Sequence, residues 1–216
     1  GNPVRVIQMQ PELDTVLPSL VYVHGSPGSS MDFKRDLKEE DLNARFTLIA
    51  YDRVGYSDRN PGTPLKSVEE EVELLHALLR EYDLRKTTVV GYSYGGTVVM
   101  ASPAQFQRKV ALAAAVKGEL EPLFWGLKLY QWSLTRPLLP GVIRAASEEK
   151  LRHIEELRGD DDLWKVSSAQ VLAVHGKKDF IVPYQNSEYL AEILGDKLDL
   201  VTLEEGITHW YGPSLS

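Results

Sequence analysis

Residues 87–100 read TTVVGYSYGGTVVM, and this stretch decides the fold. The first four residues are β-branched, which is typical of a buried strand, and the TVVM run at the end is predicted to be helical. Between them, the small residues Gly91 and Gly95 allow the backbone to fold sharply around Ser93. The stretch therefore predicts a strand, a tight turn and a helix, with the side chain of Ser93 held exposed in the turn.

A serine in such a turn is a candidate nucleophile. A serine hydroxyl is a weak nucleophile, so it needs a neighbouring base to activate it and hydrogen-bond donors to stabilise the oxyanion. The helix that begins behind Ser93 points free backbone N–H groups at developing negative charge. A Gly-x-Ser-x-Gly string also arises by chance, so the other interpretation is a glycine-rich turn with an idle serine. The position between a strand and a helix favours the nucleophile.

A second glycine-rich loop, HGSPGS at 24–29, also follows a predicted buried strand. Its glycines allow the loop to fold back so that a backbone N–H faces the serine. Since an oxyanion site needs at least two donors, the backbone N–H groups of Ser26 and Tyr94 are the predicted pair. A phosphate-binding loop is the rival interpretation. It is disfavoured because no Lys-Ser/Thr pair follows the glycines and no Gly-x-Gly-x-x-Gly occurs.

The base, and the acid that orients it, are expected on loops after later strands. One predicted strand leads into Asp179, and the next leads into His209. The order Ser93, Asp179, His209 matches the chain order expected of such a triad. Asp52, at the end of an earlier strand, is the competing acid, and we prefer Asp179. Four other histidines fit the role of base less well, because each lies on a predicted helix or at a strand end beside glycine: His24, His76, His153 and His175.

The wider pattern is a series of short apolar runs separated by helical or loop segments. Runs that are apolar throughout predict strands buried on both faces. The best helix begins after Ser67, which is predicted to form a capping box with Glu70, and a second helix is predicted over 186–194. Strands alternating with helices imply an α/β fold, a mostly parallel central sheet with helices on both faces. The predicted strands are 4–9 at an edge, 20–24, 46–51, 87–90, 110–116, 171–175 and 198–203.

Residues 117–168 interrupt this pattern. They hold a cluster of leucines and aromatics, a proline-rich passage and a charged helix predicted to begin after Ser147. We therefore expect a small helical lid inserted over one edge of the sheet, with an ordinary pair of packing helices as the alternative. The predicted division is an α/β core of 1–116 and 169–216 and a lid of 117–168. Four residues of the lid are candidates to line a substrate pocket: Phe124, Trp125, Trp132 and Leu138.

Composition limits the classes of function. A total of 24 Lys plus Arg against 31 Asp plus Glu gives a net charge of -7, with no electrostatic footprint for nucleic acid. The chain has no cysteine, which excludes disulfides, thiol catalysis and cysteine-based zinc sites. No apolar run approaches the roughly 20 residues that span a bilayer, and the first residues lack the layout of a signal peptide. We expect a cytoplasmic protein that acts on a small molecule, without a cofactor or metal, a nucleic-acid partner or a membrane span.

The loops also carry a family resemblance. The blocks HGSPGS, DRVGYSD, GYSYGG and VHGKKDFIVP, with the closing GITHW, resemble the signature blocks of the α/β-hydrolase superfamily, specifically its small, lid-bearing, cofactor-independent members. The order and spacing of these blocks extend over nearly the whole chain, from about residue 4 to 210. The resemblance implies the α/β-hydrolase fold with Ser93, Asp179 and His209 as the triad, and the backbones of Ser26 and Tyr94 as oxyanion donors. The residues expected to support the site structurally are His24, Gly25, Asp52, Arg53, Gly91 and Gly95.

Serine at position 93 also narrows the implied chemistry. Haloalkane dehalogenases and epoxide hydrolases of the same fold carry aspartate as nucleophile, so serine implies action on acyl groups. We predict hydrolysis of an ester or related acyl bond of a small, apolar substrate. Thioester, lactone, amide, peptide and carbon-carbon bond cleavage stay open, as does cofactor-free oxidative or perhydrolytic chemistry. The alternative of a different class is a ligand-binding member of the fold with little turnover.

The two ends of the chain depart from the family pattern. Only about twenty residues precede the HGSPGS loop and seven follow His209. Family members usually have a strand hairpin before the first and a helix after the second. We therefore expect a sheet trimmed at both ends, either because segments are missing or because a partner chain covers the exposed surface, and we favour missing segments.

Overall fold

The centre of the molecule is a seven-stranded sheet. A computed structural model describes residues 4–9, 17–56, 62–122, 126–158 and 161–204. In the described part, the strands lie in the order β1-β3-β2-β4-β5-β6-β7. Their bounds are Val6–Gln8 for β1, Ser19–Val23 for β2, Thr47–Tyr51 for β3, Thr87–Tyr92 for β4, Arg108–Leu112 for β5, Gln170–Gly176 for β6 and Leu198–Leu203 for β7.

All strand pairs of the sheet are parallel except the pair formed by β1, which runs antiparallel to β3 at one edge. Parallel neighbours point their carboxyl ends the same way. The register shows this directly, since Val23, Tyr51 and Gly91 lie side by side at the ends of β2, β3 and β4. The loops that follow these strands therefore emerge together at one edge, as the sequence predicts.

The two faces of the sheet bury separate apolar clusters. Successive side chains of a strand point to opposite faces, so Val21 and Val23 join one cluster while Tyr22 joins the other. The larger cluster contains side chains of three helices, α3 (Val68–Leu78), α4 (Tyr94–Ala101) and α7 (Gln185–Leu194). Phe33 and Leu37 pack in the second. The α/β fold with helices on both faces is thus confirmed.

Seven helices occur in the described residues, and α3 shows how the sequence sets their ends. The hydroxyl of Ser67 accepts a hydrogen bond from the N–H of Glu70 at 3.1 Å, which is the predicted N-cap. The reciprocal half of the box differs, because the Glu70 carboxylate accepts from the N–H of Lys66 at 2.7 Å. The helices are α1 Lys34–Leu37, α2 Glu40–Asn43, α3 Val68–Leu78, α4 Tyr94–Ala101, α5 Gly126–Gln131, α6 Gly141–Glu156 and α7 Gln185–Leu194.

Strand β5 is shorter than its apolar run predicts. The run continues to Val116, but the strand ends at Leu112 because Ala113 has a φ of 42° and turns the chain out of the sheet. The residues after the turn stay buried and bond elsewhere, with the N–H of Ala115 donating to Ser93 O at 3.4 Å. The predicted strand over 110–116 was therefore wrong in its second half.

The described part of segment 117–168 consists of helices joined by turns and coil, with no strand, as expected. Its long helix α6 begins at Gly141 and not after Ser147, so the predicted start was wrong. Pro140 occupies the N-cap position, and its fixed φ suits the chain entering a helix. The domain boundary drawn at 117–168 stays a prediction. None of the helices in the described ranges is long and apolar enough to cross a bilayer.

Candidate active site

Ser93 lies in a strained turn between β4 and α4. It is the N-cap of α4 with φ 52° and ψ -118°, a backbone conformation that residues other than glycine rarely adopt. Two glycines make the turn possible. A Cβ on Gly91 would lie 2.2 Å from the carbonyl oxygen of Gly95, and a Cβ on Gly95 would lie 2.1 Å from that of Val23. These two glycines therefore support the turn by allowing backbone segments to pack closer than a Cβ would permit.

The HGSPGS loop packs directly against this turn. A Cβ on Gly25 would lie 3.1 Å from the Cβ of Ser93. His24 fixes the start of the loop, since its Nδ1–H donates to Gly25 O at 2.8 Å and its Nε2 accepts from the N–H of Arg53 at 2.9 Å. Burial, helped by the charge of Arg53, lowers the pKa of His24 well below its usual value. His24 is thus a neutral, structural histidine.

The two predicted oxyanion donors lie beside one cavity. Ser26 and Tyr94 both line the cavity that Ser93 lines. Tyr94 is the first residue of α4, where backbone N–H groups have no partner within the helix. Neither the N–H of Ser26 nor that of Tyr94 donates a hydrogen bond in the part of the chain that the structure describes. The two groups have the chemistry that stabilises a negative oxygen.

Asp179 is held by its own loop after β6. Its Oδ1 accepts hydrogen bonds from the N–H groups of Ile181 and Val182, both at 3.0 Å, and the residue is buried. His175 braces the same loop, with Nε2–H donating to Val182 O at 2.9 Å. Burial lowers the pKa of His175. The carboxylate is therefore fixed in place at the carboxyl edge of the sheet. His209 lies outside the described residues.

Asp52, the competing acid, has both oxygens engaged. Oδ1 accepts from the N–H of Ser30 at 2.7 Å, and Oδ2 pairs with Arg5 Nε at 2.7 Å. These contacts tie the end of β3 to the turn at Ser30–Phe33 and to the chain before β1. These contacts suit the predicted role of Asp52 as a structural support of the site.

Arg53 lies at the centre of a buried charge network that the sequence did not reveal. Its guanidinium donates to both oxygens of Glu149 at 2.8 Å, to Glu71 at 3.1 Å and to Gly25 O at 3.2 Å. The hydroxyl of Tyr56 also donates to Glu149 at 2.7 Å. Three elements, the loop after β3, α3 and α6, thus meet beside the HGSPGS loop.

The network shifts the acidity of its members. Burial lowers the pKa of Arg53, and the carboxylates of Glu149 and Glu71 more than offset this effect. Burial raises the pKa of Glu71 to about 7, although Arg53 acts against it. The network also reaches the predicted oxyanion loop. The hydroxyl hydrogen of Tyr56 is used in its hydrogen bond to the Glu149 carboxylate. The hydroxyl of Ser26, 2.7 Å away, is therefore the donor to the Tyr56 oxygen.

His153 lines the cavity. Its position on a predicted charged helix gave no indication of this. Its Nε2–H donates to Ala115 O at 3.0 Å, and Nδ1 has no partner among the described residues. Burial lowers the pKa of this histidine to about 3. It is therefore neutral and held by the backbone.

The cavity has a volume of about 510 Å³ and is mostly apolar. Its polar members include an ion pair between Lys150 and Glu121. Two residues predicted to line the cavity, Trp132 and Leu138, are not among its lining residues; they are 66% and 81% exposed. Phe124 and Trp125 lie outside the described residues. The lining comprises Ser26, Pro27, Ser93, Tyr94, Ala115, Glu121, Leu127, Leu129, Leu139, Ile143, Ala146, Ser147, Lys150, His153, Phe180, Ile181 and Val182.

Comparison with known proteins decides the family. The sequence profile of the alpha/beta hydrolase family matches residues 20–211. This chain belongs to the alpha/beta hydrolase family. Solved structures of low sequence identity share its fold. A lipase-esterase related protein from Clostridium acetobutylicum ATCC 824 superposes with a TM-score of 0.71 and 16% identity, over 95% of this chain and 92% of the other.

Two further structures agree with this hydrolase fold. The esterase EaEST from Exiguobacterium antarcticum has a TM-score of 0.67 and 17% identity, over 94% of this chain and 86% of its own. The enol-lactonase from Burkholderia xenovorans LB400 has a TM-score of 0.67 and 15% identity, over 95% and 89%. A curated relative, the uncharacterized protein YfhR of Escherichia coli O157:H7, is 21% identical over 197 residues. The match spans 89% of this chain and only 63% of that relative's length.

Proposed function

We propose that this hydrolase cleaves an ester or related acyl bond with Ser93 as nucleophile, His209 as general base and Asp179 as the orienting acid. The observation that supports this most is the strained turn at Ser93. It sets the serine at the start of α4 and on the same cavity as Ser26 and Tyr94. Nucleophile, oxyanion donors and a pocket for the acyl group then occupy one place.

The proposed reaction has two halves. His209 removes the proton of Ser93 Oγ as that oxygen attacks the substrate carbonyl, and the N–H groups of Ser26 and Tyr94 donate to the resulting oxyanion. The tetrahedral intermediate expels the alcohol, which takes the proton from His209. Water then attacks the acyl-enzyme with His209 again as base, and the acid leaves with Ser93 restored.

Asp179 has a positioning part in this scheme. Its Oδ1 is held by two backbone N–H groups, so the carboxylate is fixed before substrate binds. We propose that it accepts the Nδ1–H of His209. That bond keeps Nε2 free to take the serine proton and stabilises the imidazolium.

The cavity indicates the kind of acyl group. Leu127, Leu129, Leu139 and Ile143 line it and all belong to the 117–168 segment. We propose that this segment acts as the lid of the site. A volume of about 510 Å³ with an apolar lining suits a small or medium apolar acyl chain.

Hydrolysis of p-nitrophenyl butyrate by two pairs of variants tests the proposal. Ser93→Ala and His209→Gln are expected to lower kcat by about 10⁴-fold or more. Ser168→Ala, at an exposed serine, and His153→Gln, which keeps an amide N–H for Ala115 O, are expected to stay within about tenfold of wild type.

The pattern of losses distinguishes the alternatives. Near wild-type turnover by Ser93→Ala would refute the nucleophile. Loss in His153→Gln with retention in His209→Gln would move the base to His153. If the folded wild type hydrolyses no ester, thioester, lactone or aminoacyl amide in a panel, the protein is a ligand-binding member of the fold.

A further inference from the structure

Large exposed apolar side chains are concentrated in one short stretch. Of the thirteen in the described part of the chain, six lie within residues 129–143. Single exposed apolar residues are ordinary on protein surfaces, whereas a concentration of them marks an interaction surface. We call these six residues the apolar rim. They are Leu129, Trp132, Leu134, Leu138, Val142 and Ile143, and they are between 36% and 81% exposed.

The fold holds the apolar rim together. Helix α5 packs on α6 and on the turn Arg136–Leu138. The intervening chain is closed by side-chain bonds, with the hydroxyl of Thr135 donating to Leu129 O and Arg136 Nε donating to Tyr130 O at 2.9 Å. The rim residues are therefore presented by one packed unit.

The apolar rim is continuous with the mouth of the cavity. Leu129 and Ile143 belong to the rim and also line the cavity. Phe180, on the loop after β6, lines the cavity and is 65% exposed. An apolar molecule in contact with Leu129 or Ile143 would thus also touch the lining of the pocket.

The charge of this stretch is opposite to that of the whole protein. Residues 122–147 contain no Asp or Glu but include Lys128, Arg136 and Arg144, whereas the chain carries a net charge of -7. Lys128 and Arg136 are exposed. The guanidinium of Arg136 lies 4.8 Å from the centre of the Tyr130 ring.

The positive charge and the apolar surface of the rim decide which kind of partner it can bind. Two copies of the chain meeting rim to rim would bring like charges together, which disfavours a dimer through this face. An anionic lipid surface offers both acyl chains for the rim and negative headgroups for the two exposed cations, Lys128 and Arg136. Tryptophan is also enriched at such interfaces.

We propose that the apolar rim docks this hydrolase on an anionic lipid–water interface. Trp132 and Leu138 enter the boundary between headgroups and acyl chains, while Lys128 and Arg136 face the headgroups. The cavity mouth then faces the lipid. The association is peripheral and shallow, as expected of an amphipathic surface.

Vesicle cosedimentation tests this with protein that cannot turn over. All variants carry Ser93→Ala, and the vesicles are phosphatidylcholine alone or mixed with phosphatidylglycerol. The rim variant is Trp132→Ser with Leu138→Ser. The matched control is Val166→Ser with Val201→Ser, at two apolar residues that are each 45% exposed outside the rim. Lys128→Gln tests the charge, and thermal unfolding checks that every variant is folded.

The parent protein is expected to bind the mixed vesicles and to bind less as salt rises. The rim variant is expected to lose about tenfold or more in partition coefficient, because two large apolar contacts are removed. The control variant is expected to keep its vesicle binding, and Lys128→Gln is expected to weaken vesicle binding.

The proposal is overturned if the parent does not bind mixed vesicles, or if rim and control variants bind alike. A dimer that dissociates in the rim variant, without vesicle binding, would assign the face to a second copy. Because no turnover is measured, failure of the proposed acyl chemistry would leave this result unchanged.

Discussion

At the scale of single residues, the backbone of Ser93 is the feature on which the site depends. A conformation of this kind costs about 1–3 kcal/mol and persists only where the surroundings impose it. Here the surroundings are the two glycines and the bond from the N–H of Ser93 to Leu112 O at 2.9 Å. The turn is thus held on both sides, and the side chain is directed out of the sheet.

Gly95→Ala tests whether the turn needs its close backbone contact. The new Cβ would overlap the carbonyl oxygen of Val23, so we expect a loss of about 1–3 kcal/mol in the free energy of unfolding and a fall in kcat of at least about tenfold. Gly195→Ala is the control, because Gly195, at the end of α7, has a positive φ but open space where a Cβ would lie, so its substitution strains the backbone without a steric overlap. It is expected to lose stability alone. Urea unfolding and ester hydrolysis measure both effects. Equal effects of the two variants on kcat would show that the contact at Gly95 is unimportant for the site.

Asp179→Asn and Asp52→Asn separate the two acids. We expect Asp179→Asn to lower kcat by about 10⁴-fold, because the amide would favour the wrong tautomer of His209. Asp52→Asn loses its pair with Arg5, so it should lower stability while kcat of the folded enzyme stays within about tenfold. Steady-state kinetics and urea unfolding report the two quantities. The reverse pattern would make Asp52 the orienting acid.

Some of these residues could be predicted from local sequence and others could not. The supporting roles of Asp52 and Arg53 were implied only by the resemblance of the DRVGYSD block to the family's signature. Glu71 and Glu149 were missed, because they are 18 and 96 residues from Arg53 and no local pattern reports such a distance. A basic residue predicted at the end of a buried strand is the one signal that a buried carboxylate partner should exist.

At the scale of elements, the Arg53 network joins the sheet to the segment above it. Helix α6 contributes Glu149 to the network and His153 to the carbonyl of Ala115. Its Glu156 accepts from the N–H of Val68 at the start of α3 at 3.3 Å. The helix is therefore bonded to the core along its second half, while its first half carries part of the apolar rim.

The raised pKa of Glu71 predicts a pH-dependent stability. The folded state binds this proton more tightly than an unfolded chain, in which the pKa is near 4.5, so the free energy of unfolding should fall as pH rises from about 4.5 to 7. Glu71→Gln should reduce that slope. Glu73→Gln, at an exposed position of the same helix, should not. Urea unfolding across this pH range measures the slopes, and an unchanged slope in Glu71→Gln would contradict the assignment.

Element boundaries were predictable where one local signal dominates. Strand β7 has the predicted bounds, and α3 starts at its predicted cap. The errors at β5 and α6 share a cause. An apolar run looks the same in a strand and in the buried coil after it, and Ala113 gives no sign that it will adopt a positive φ. The proline-rich passage before Gly141 gives no sign of a helix, although proline also suits the entry to one.

At the scale of the whole molecule, the parallel sheet explains why residues far apart in sequence meet. His24, Asp52, Ser93 and Asp179 each follow a different strand and emerge at the same edge. This arrangement was predictable from the order of strands and helices. The substrate was not, because the fold is shared by a lipase-esterase related protein and an enol-lactonase. The cavity lining, drawn from the irregular 117–168 segment, depends on tertiary packing that sequence periodicity does not encode.

Peptide mapping after reaction with a fluorophosphonate tests the central claim most directly. An activated serine reacts quickly with this probe, whereas an idle serine in a glycine-rich turn does not. The account predicts one adduct on Ser93, absent from Ser93→Ala and formed much more slowly in His209→Gln. No adduct on the folded wild-type protein, or an adduct on another serine with Ser93 unmodified, would contradict it.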